Sequence, residues 1–240
     1  MKISEGIEIV DLGLYFRKEK ILAVSDFHLG YEAELRKKGV FIPAHQFADT
    51  RKRLEDMFAK LKTHNYKLKT IVITGDLRHE FGGVSRQEFL DVKEIIGFMK
   101  QHAEKVILLK GNHETMHKYI KKFVGVKNYF ATKNILFLHG DKIPENKKFL
   151  GRNIIIIGHE HPAIRLSDAV ASEKVKCFLK GSWKGKTLVV LPSFNLITEG
   201  TDVLSEKLLS PFLKNVKDFE VFAVPEQNKI MYFGKINGLL

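Results

Sequence analysis

The chain of 240 residues contains one cysteine, Cys177, so an internal disulfide framework is excluded. Its position in the apolar stretch 175–178 predicts a small buried side chain, and so little cysteine suits a reducing compartment. No apolar run approaches the roughly 18–20 residues of a membrane span, and the first residues lack the pattern of a signal peptide. We therefore expect a cytoplasmic protein that has no membrane partner.

Acidic residues are also few, because 28 Asp and Glu face 40 Lys and Arg and leave a formal net charge of +12. A polyanionic partner such as single-stranded DNA or RNA would explain this excess, since lysines and arginines along a groove neutralise phosphates. A lysine-rich surface of a heat-adapted protein explains it equally well. The basic residues recur in four clusters, at 36–38, 51–53, 118–122 and 142–152.

Linker-like and low-complexity segments are lacking too. Because 44% of the residues are hydrophobic, the chain can form a substantial core. Together these features predict a single domain over 1–240. The first half of the chain alternates between apolar runs and helical patterns, which predicts an α/β fold. The predicted strands and helices of this half are 7–10, 13–16, 21–24, 32–38, 44–64, 70–74, 85–99 and 106–109. Pro43 is placed to begin the second helix, and Ser85 with Glu88 forms a plausible capping box for the third.

The second half is predicted to contain fewer helices. Residues 112–124 look helical, 126–131 and 135–138 look like paired strands, and 153–157 is a further apolar run. Beyond Pro162 the chain shows mostly antiparallel strand patterns, which we expect to build a second sheet over 162–240. These later strands are predicted at 174–179, 187–191, 220–224 and 229–233.

Five of the apolar runs end at side chains that can bind metal ions. In chain order these are Asp26 and His28, Asp76, Asn112 and His113, His139, and His159 and His161. Ligand sites of α/β proteins lie at the carboxyl ends of sheet strands, so we expect a shared site with Asp76 at its centre. Carboxylate and amide oxygens mixed with imidazole nitrogens suit Mn²⁺, Fe²⁺ or Zn²⁺ better than Ca²⁺. Even without His113 there are seven side chains, which predicts two ions with one carboxylate between them.

Each of these pieces has an ordinary explanation when it is taken alone. An aspartate after a strand is commonly a turn residue or a helix cap, and a single histidine in a loop is more often structural. Five such pieces in order, each directly after an apolar run, favour a metal site instead. The remaining helical-pattern histidines lack this context, and we expect them at the surface: His45, His64, His102 and His117.

The order Asp-x-His, Gly-Asp, Gly-Asn-His-Glu, His-Gly and Gly-His-x-His over residues 21–161 resembles the calcineurin-like metallophosphoesterases. The resemblance implies a sandwich of two mixed β-sheets flanked by helices, with a dinuclear metal site at the carboxyl ends of the strands. It also implies two divalent ions, with Mn²⁺ expected before Fe²⁺, Zn²⁺ or Ni²⁺.

The resemblance further implies a role for each residue. One ion would be held by Asp26, His28, Asp76 and His161, and the other by Asp76, Asn112, His139 and His159. Asp76 would bridge the two ions. Asn112 and His113 would contact the phosphate, His113 would protonate the leaving oxygen, and Glu114 would orient His113.

The chain departs from the protein-phosphatase branch after Asp76, where Leu77-Arg78-His79-Glu80-Phe81 replaces the motif that supplies a phosphate-binding arginine. The roles of Arg78 and His79 are therefore open. This segment and Leu191-Pro192-Ser193-Phe194-Asn195 look like the small branch associated with DNA ligases or Lhr-type helicases, which is similar to the PdeM and SbcD groups. A helicase or ligase partner is implied by this resemblance alone.

Three functions remain open at this point. The first is a Mn²⁺-dependent phosphodiesterase, or nuclease, that acts on single-stranded nucleic acid in DNA repair or RNA processing. The second is hydrolysis of a small phosphoester, either a nucleotide monoester or a cyclic diester. The third is a partner-binding scaffold that has lost catalysis, which the complete set of ligand types disfavours.

Overall fold

The computed structural model describes residues 1–79, 85–112, 117–145, 151–167 and 172–240, without the side chains of His117 and Lys118. Two mixed β-sheets and a few helices make up this part of the chain. The helices are α1 (Tyr31–Lys37), α2 (Gln46–Thr63), α3 (Arg86–His102), α4 (His117–Ile120) and a final 3₁₀ turn (Ile236–Gly238).

The first sheet has seven strands in the same order as the sequence. They are β1 (Lys2–Ser4), β2 (Ile7–Val10), β3 (Gly13–Phe16), β4 (Ile21–Val24), β5 (Thr70–Ile73), β6 (Lys105–Leu109) and β7 (Gly125–Lys127). Strands β1 to β4 are antiparallel neighbours, whereas β4 to β7 are parallel. The parallel strands therefore all present their carboxyl ends at one edge of the sheet.

The second sheet has nine strands, among which β12 is central. They are β8 (Phe130–Ala131), β9 (Ile135–Phe137), β10 (Ile154–Ile157), β11 (Pro162–Ser167), β12 (Ser172–Trp183), β13 (Lys186–Val190), β14 (Thr201–Asp202), β15 (Glu220–Glu226) and β16 (Lys229–Lys235). Strand β10 lies parallel to both β9 and β13, whereas β12 is antiparallel to β11, β13 and β15.

The two faces of the second sheet bury different cores, because side chains alternate along a strand. In β10, Ile154 and Ile156 pack into the larger core with the first sheet, while Ile155 and Ile157 pack into a smaller one. The larger core also holds the apolar faces of α2 and α3, and the smaller core is covered by residues such as Phe212. Both faces of the sheet are thus shielded, and β10 is held rigidly.

Most of the predicted elements are present with small shifts at their ends. The strand-helix-strand-helix-strand order from β4 to β6 is confirmed, as are the β2–β3 hairpin and the capping box of Ser85 and Glu88. The prediction that Pro43 begins a helix is wrong, because α2 begins at Gln46 with His45 as its N-cap. Strand β11 was not predicted at all.

The segment around Val126 differs most from its prediction. The predicted single strand over 126–131 is two strands, of which β7 pairs with β6 in the first sheet and β8 pairs with β9 in the second. The helix predicted over 112–124 is also wrong, since α4 covers only His117–Ile120 in the described part. Residues 121–124 form a turn that leads into the pairing of Gly125 with Ile107 at the sheet edge.

No helix within the described ranges is both long and apolar enough to cross a membrane.

Candidate metal centre

Five loops bring the predicted ligands together where the two sheets meet. Asp26, Asp76 and Asn112 follow β4, β5 and β6 of the first sheet, and His139 and His159 follow β9 and β10 of the second. His28 and His161 each lie two residues beyond the first group of their loop. The site is therefore built by both sheets, and only parallel strands deliver its side chains.

Two clusters of potential ligand atoms share the Asp26 carboxylate, whereas the family resemblance implies Asp76 as the shared ligand. Asp26, His28 and His161 form the first cluster, and Asp26, Asp76 and His139 form the second, each with its ligand atoms within 4.8 Å of one another. Asp76 Oδ2 lies 3.5 Å from His139 Nε2. Asn112 adjoins the second cluster, since its Oδ1 is 2.8 Å from His139 Nε2, and the rings of His139 and His159 are 4.8 Å apart.

The Asp26 carboxylate is fully buried, and only one of its two oxygens accepts hydrogen bonds from the described residues. Its Oδ2 accepts hydrogen bonds from Ser25 Oγ at 2.5 Å and from the His159 backbone N–H at 2.8 Å. Its Oδ1 makes no hydrogen bond with the described residues. A buried carboxylate oxygen without a partner is costly, and a cation removes that cost. The donors here, oxygens mixed with imidazole nitrogens, fit a pair of divalent ions.

Hydrogen bonds from the outer side set the orientation of the histidines. His139 Nδ1 lies 3.0 Å from the Thr74 carbonyl, which can only accept, so Nδ1 carries the proton and Nε2 turns a lone pair toward Asp76 and Asn112. This is the arrangement that a metal-binding imidazole requires.

A chain of two hydrogen bonds orients His28 from the opposite side of the site. Glu34 Oε2 lies 2.8 Å from His79 Nε2, and His79 Nδ1 lies 3.2 Å from His28 Nδ1. The Glu34 carboxylate accepts a hydrogen bond from His79 Nε2, so His79 Nδ1 can accept one from His28 Nδ1. His28 then has its lone pair on Nε2. That atom is 3.2 Å from His161 Nε2, a separation that two neighbouring ligands of one cation can have. His79, whose role was open, thus contacts a predicted ligand directly.

The backbone of these loops is strained in a way that favours a functional role. Four of the nine described non-glycine residues with positive φ are predicted ligands: Asp26 (50°), His28 (46°), His159 (68°) and His161 (51°). The left-handed conformation costs such residues roughly 1 kcal/mol or more each, and it persists only where the surroundings enforce it. Gly111 and Gly158 are needed for close approach, because an added Cβ would overlap Asp76 at the first and Ser25 and Asp26 at the second.

Ionisation in the apo site already favours metal binding. Burial alone would raise the pKa of Asp26, but the neighbouring His161, His139 and His28 outweigh it and hold that pKa well below its usual range. Burial is the main cause that lowers the pKa of His159 to about 4. At neutral pH the site thus offers an ionised carboxylate and a neutral imidazole, the forms that bind divalent ions.

Residues to which the sequence analysis gave no structural role hold the Asp26 loop in place. Ser193 Oγ donates to the Asp26 carbonyl at 2.8 Å, and the Asn195 backbone N–H donates to the same oxygen at 3.1 Å. Gln46 Nε2 donates to the His28 carbonyl at 2.9 Å and to Asn195 Oδ1 at 3.2 Å. The segment 191–195, which the family resemblance marked, therefore braces the first ligand loop.

A buried ion pair joins the Asp76 loop to helix α3. The backbone N–H groups of His28 and Leu29 donate to the carbonyls of Asp76 and Leu77, so the two loops form a short parallel ladder. Arg78, at the end of this ladder, is fully buried and its Nε donates to Glu88 Oε1 at 3.1 Å. Arg78 is thus turned into the protein and not toward a phosphate.

Glu160 performs the equivalent bracing in the second sheet. It lies between His159 and His161, and its Oε2 accepts the backbone N–H groups of Leu209 and Ser210 at 2.9 and 2.8 Å. Ser210 Oγ also donates to the Gly140 carbonyl at 2.7 Å, so one segment ties together both histidine loops. The position of Glu160 inside the His-x-His motif was the only sequence signal for this role.

All seven predicted metal ligands lie in or beside the two clusters, while their individual roles as ligands stay a prediction. His113 and Glu114 lie outside the described residues, as does the side chain of His117. His45, His64 and His102 are exposed as expected, and Cys177 is a buried free thiol whose pKa is raised by burial.

The model of the calcineurin-like phosphoesterase family matches residues 19–214. The chain belongs to this family. Its members are metal-dependent hydrolases that typically hold two divalent ions, and the two clusters supply candidate ligands for them. No curated protein shows significant sequence similarity to the chain.

Several solved structures are similar to the chain at low sequence identity. The nuclease MPE of Pseudomonas putida is 16% identical with a TM-score of 0.64, and the match covers 94% of this chain and 93% of that one. YfcE, a phosphoesterase from E. coli, is 13% identical with a TM-score of 0.42 over 90% and 98% of the chains. Vacuolar Protein Sorting 29 from Cryptosporidium parvum is 14% identical with a TM-score of 0.42 over 90% and 97%.

Proposed function

We propose that this phosphoesterase is a phosphodiesterase that cleaves single-stranded nucleic acid in DNA repair or RNA processing. The observation that carries the proposal is the pair of acid-imidazole clusters that meet at the buried Asp26. Phosphoester hydrolysis is the chemistry for which family members use such a site. The net charge of +12 supports a polyanionic substrate, and so does the shared fold with a protein described as a nuclease.

Divalent ions bound at the clusters would supply Lewis acidity toward phosphate oxygens and would lower the pKa of a water molecule. We favour Mn²⁺, with Fe²⁺, Zn²⁺ or Ni²⁺ as alternatives, because the donors mix oxygen and nitrogen.

The side chains around the clusters are proposed to have different roles in hydrolysis. Asp26 and Asp76 are buried and place negative charge where cations collect, whereas Asn112 is exposed and can reach a phosphate oxygen of the substrate. His113 is proposed to protonate the leaving oxygen, with Glu114 orienting it. Association with a helicase or a DNA ligase belongs to the same proposal and is supported by the motif resemblance alone.

The test compares three substrates after removal of bound metal with a chelator and addition of one ion at a time. These are bis-p-nitrophenyl phosphate, p-nitrophenyl phosphate and end-labelled single strands, each at two salt concentrations. We expect Mn²⁺ to restore cleavage of the diester and of the strands, with strand cleavage falling at higher salt.

Rapid turnover of the monoester without strand cleavage would contradict the polymer substrate and favour a small phosphoester. Inactivity toward all three substrates, with no metal bound, would favour the scaffold.

A further inference from the structure

Two adjoining cavities lead away from the candidate metal centre along the junction of the two sheets. The inner cavity, of about 580 Å³, is lined by His139 and by Gly111, the neighbour of Asn112. The outer cavity, of about 740 Å³, extends to Lys127 and Arg152. Three residues line both of them: Lys110, Asn128 and Tyr129. We call this continuous surface the seam groove.

The outer part of the seam groove is cationic, and its inner part carries charges of both signs. Among its described lining residues the outer part has Lys110, Lys127 and Arg152 and no acid. The inner part adds Lys142 together with Asp141 and Glu145, and Lys142 Nζ lies 4.0 Å from Asp141 Oδ2, a distance at which an exposed pair attracts only weakly. The side chains of Lys110 and Lys127 make no ion pair with acidic residues in the part of the chain described here. The charges of Lys110 and Lys127 are therefore available to a polyanion.

Two of the other basic clusters, at 36–38 and 51–53, are paired with neighbouring acids. In α1, Arg36 approaches Glu32 at 3.9 Å and Lys38 pairs with Glu34. The cluster at 51–53 is paired throughout: Arg51 with Glu55, Lys52 with Asp56 at 2.6 Å, and Arg53 with the buried Asp11 at 2.7 Å. The charge of these two clusters is thus partly offset, whereas Lys110 and Lys127 of the seam groove have no acidic partner among the described residues.

Aromatic rings accompany these charges. Tyr129 and Phe130 line the outer cavity and are partly exposed, and Lys127 Nζ lies 5.7 Å from the centre of the Phe130 ring. Alternating cations and aromatic faces are what proteins use to hold unpaired nucleotides, because cations follow the phosphates and rings stack on bases. Duplex DNA does not expose base faces in this way.

The groove is held by regular structure at the sheet junction. Lys127 ends β7 of the first sheet and Phe130 begins β8 of the second, while the Lys110 backbone N–H donates to the Lys127 carbonyl at 2.9 Å. Ligand groups on strands are positioned more accurately than groups on loops. The same connection that split the predicted strand over 126–131 therefore builds the outer cavity.

We propose that the seam groove binds the single-stranded nucleic acid flanking the scissile phosphate, with Lys127 and Lys142 contacting its phosphates. This inference rests on the proposed function, since it names the surface that selects a polymer over a small phosphoester. Neither lysine belongs to the metal clusters, so their removal should weaken strand binding without changing the chemistry.

The test uses the double variant Lys127→Ala and Lys142→Ala in the full chain. Both side chains are exposed, so we expect normal folding. The matched control is Lys62→Ala with Lys67→Ala, which removes the same charge from exposed positions in a cavity at the amino ends of β5 and β6. The single variant Lys127→Ala provides a second, milder test.

Binding of a fluorescent single strand to the metal-free protein is followed by anisotropy over a range of salt concentrations. Loss of two phosphate contacts should make the slope of log K against log salt shallower by about 1.4 and weaken binding roughly 25-fold at 0.1 M salt. Cleavage of bis-p-nitrophenyl phosphate should stay at the wild-type rate, and the control should match the wild type in both assays.

If the groove variant and the control lose strand binding equally while the wild type cleaves strands, the inference about the seam groove would be overturned. The proposed function would then still stand. A wild type that neither binds nor cleaves strands would overturn both. A parallel loss of bis-p-nitrophenyl phosphate cleavage would also overturn the inference, because it would place the two lysines in the chemistry.

Discussion

The two edges of the first sheet contain similar residue types but use them differently. At the amino edge, a cavity of about 400 Å³ is lined by Lys62, Lys67, Tyr66 and His102, so it too is basic and aromatic. His102 Nδ1 there lies 3.0 Å from the Phe98 carbonyl of its own helix. At the carboxyl edge, the histidines face carboxylates and one another instead.

The difference shows that charge and aromatic rings do not make a reactive site by themselves. The amino edge satisfies its histidines locally, as ordinary helix ends do. The carboxyl edge buries two carboxylates against imidazoles and leaves Asp26 Oδ1 without a hydrogen bond. Such an arrangement destabilises the metal-free protein, and binding of a cation offsets that destabilisation. The predictions below separate the bracing of that edge from ordinary surface interactions.

The largest expected effect on stability comes from Glu88→Gln, which removes the carboxylate that faces the buried Arg78. Breaking a buried ion pair by removing one partner costs about 3–5 kcal/mol. The matched control is Glu55→Gln, whose partner Arg51 lies on the surface of α2, and it should cost at most about 1 kcal/mol. Urea unfolding of both variants measures the difference, and equal costs would show that the Arg78 pair does not anchor the Asp76 loop.

A smaller effect is expected from Glu160→Ala, which removes the acceptor for the Leu209 and Ser210 backbone N–H groups. Partners that bond a ligand directly change metal affinity by about 10–100-fold, so we expect a loss near the lower end of that range for Glu160, which acts through the backbone. Titration with Mn²⁺ measures the change, and Glu160→Gln should recover most of it because the amide oxygen still accepts. Wild-type affinity in the alanine variant would mean that the second-sheet histidines are held without this brace.

The last expected effect is a pH dependence of the metal-free protein, which is confined to pH below about 6.5. The pKa of His159 is lowered to about 4 in the folded chain, mainly by burial, whereas an unfolded histidine titrates near 6.5. Between these values the unfolded state binds more protons, so this group's contribution to stability is present above pH 6.5 and is lost as the pH falls toward 4.

Chemical denaturation at several pH values tests this dependence. His159→Gln should flatten the curve between pH 6.5 and 4, and His102→Gln at the amino edge serves as the control. An unchanged curve in His159→Gln would remove His159 from the groups that make the site acid-sensitive.

The candidate ligands could be found from sequence because each directly follows an apolar strand, so the signal is local. The parallel order of β4, β5 and β6 then brings the loops of Asp26, Asp76 and Asn112 to one edge. The braces could not be found in this way. Glu160 meets Leu209 across 49 residues of chain, and no local pattern specifies such a contact.

The junction between the sheets was missed for a related reason. Residues 126–131 have one continuous strand pattern, but Gly125 to Lys127 pair with the first sheet and Phe130 to Ala131 with the second. Strand propensity does not say which partner a residue finds, because pairing depends on tertiary packing. The seam groove depends on that switch, so the sequence showed its charges without showing its shape.

The account depends most directly on Asp76, the residue predicted to lie between two ions. Asp76→Asn is compared with wild type for Mn²⁺ bound per chain, for turnover of bis-p-nitrophenyl phosphate and for urea unfolding without metal. We expect two ions per wild-type chain, and in the variant loss of paired binding and of hydrolysis with the fold retained. Full occupancy with normal turnover in Asp76→Asn would contradict the account.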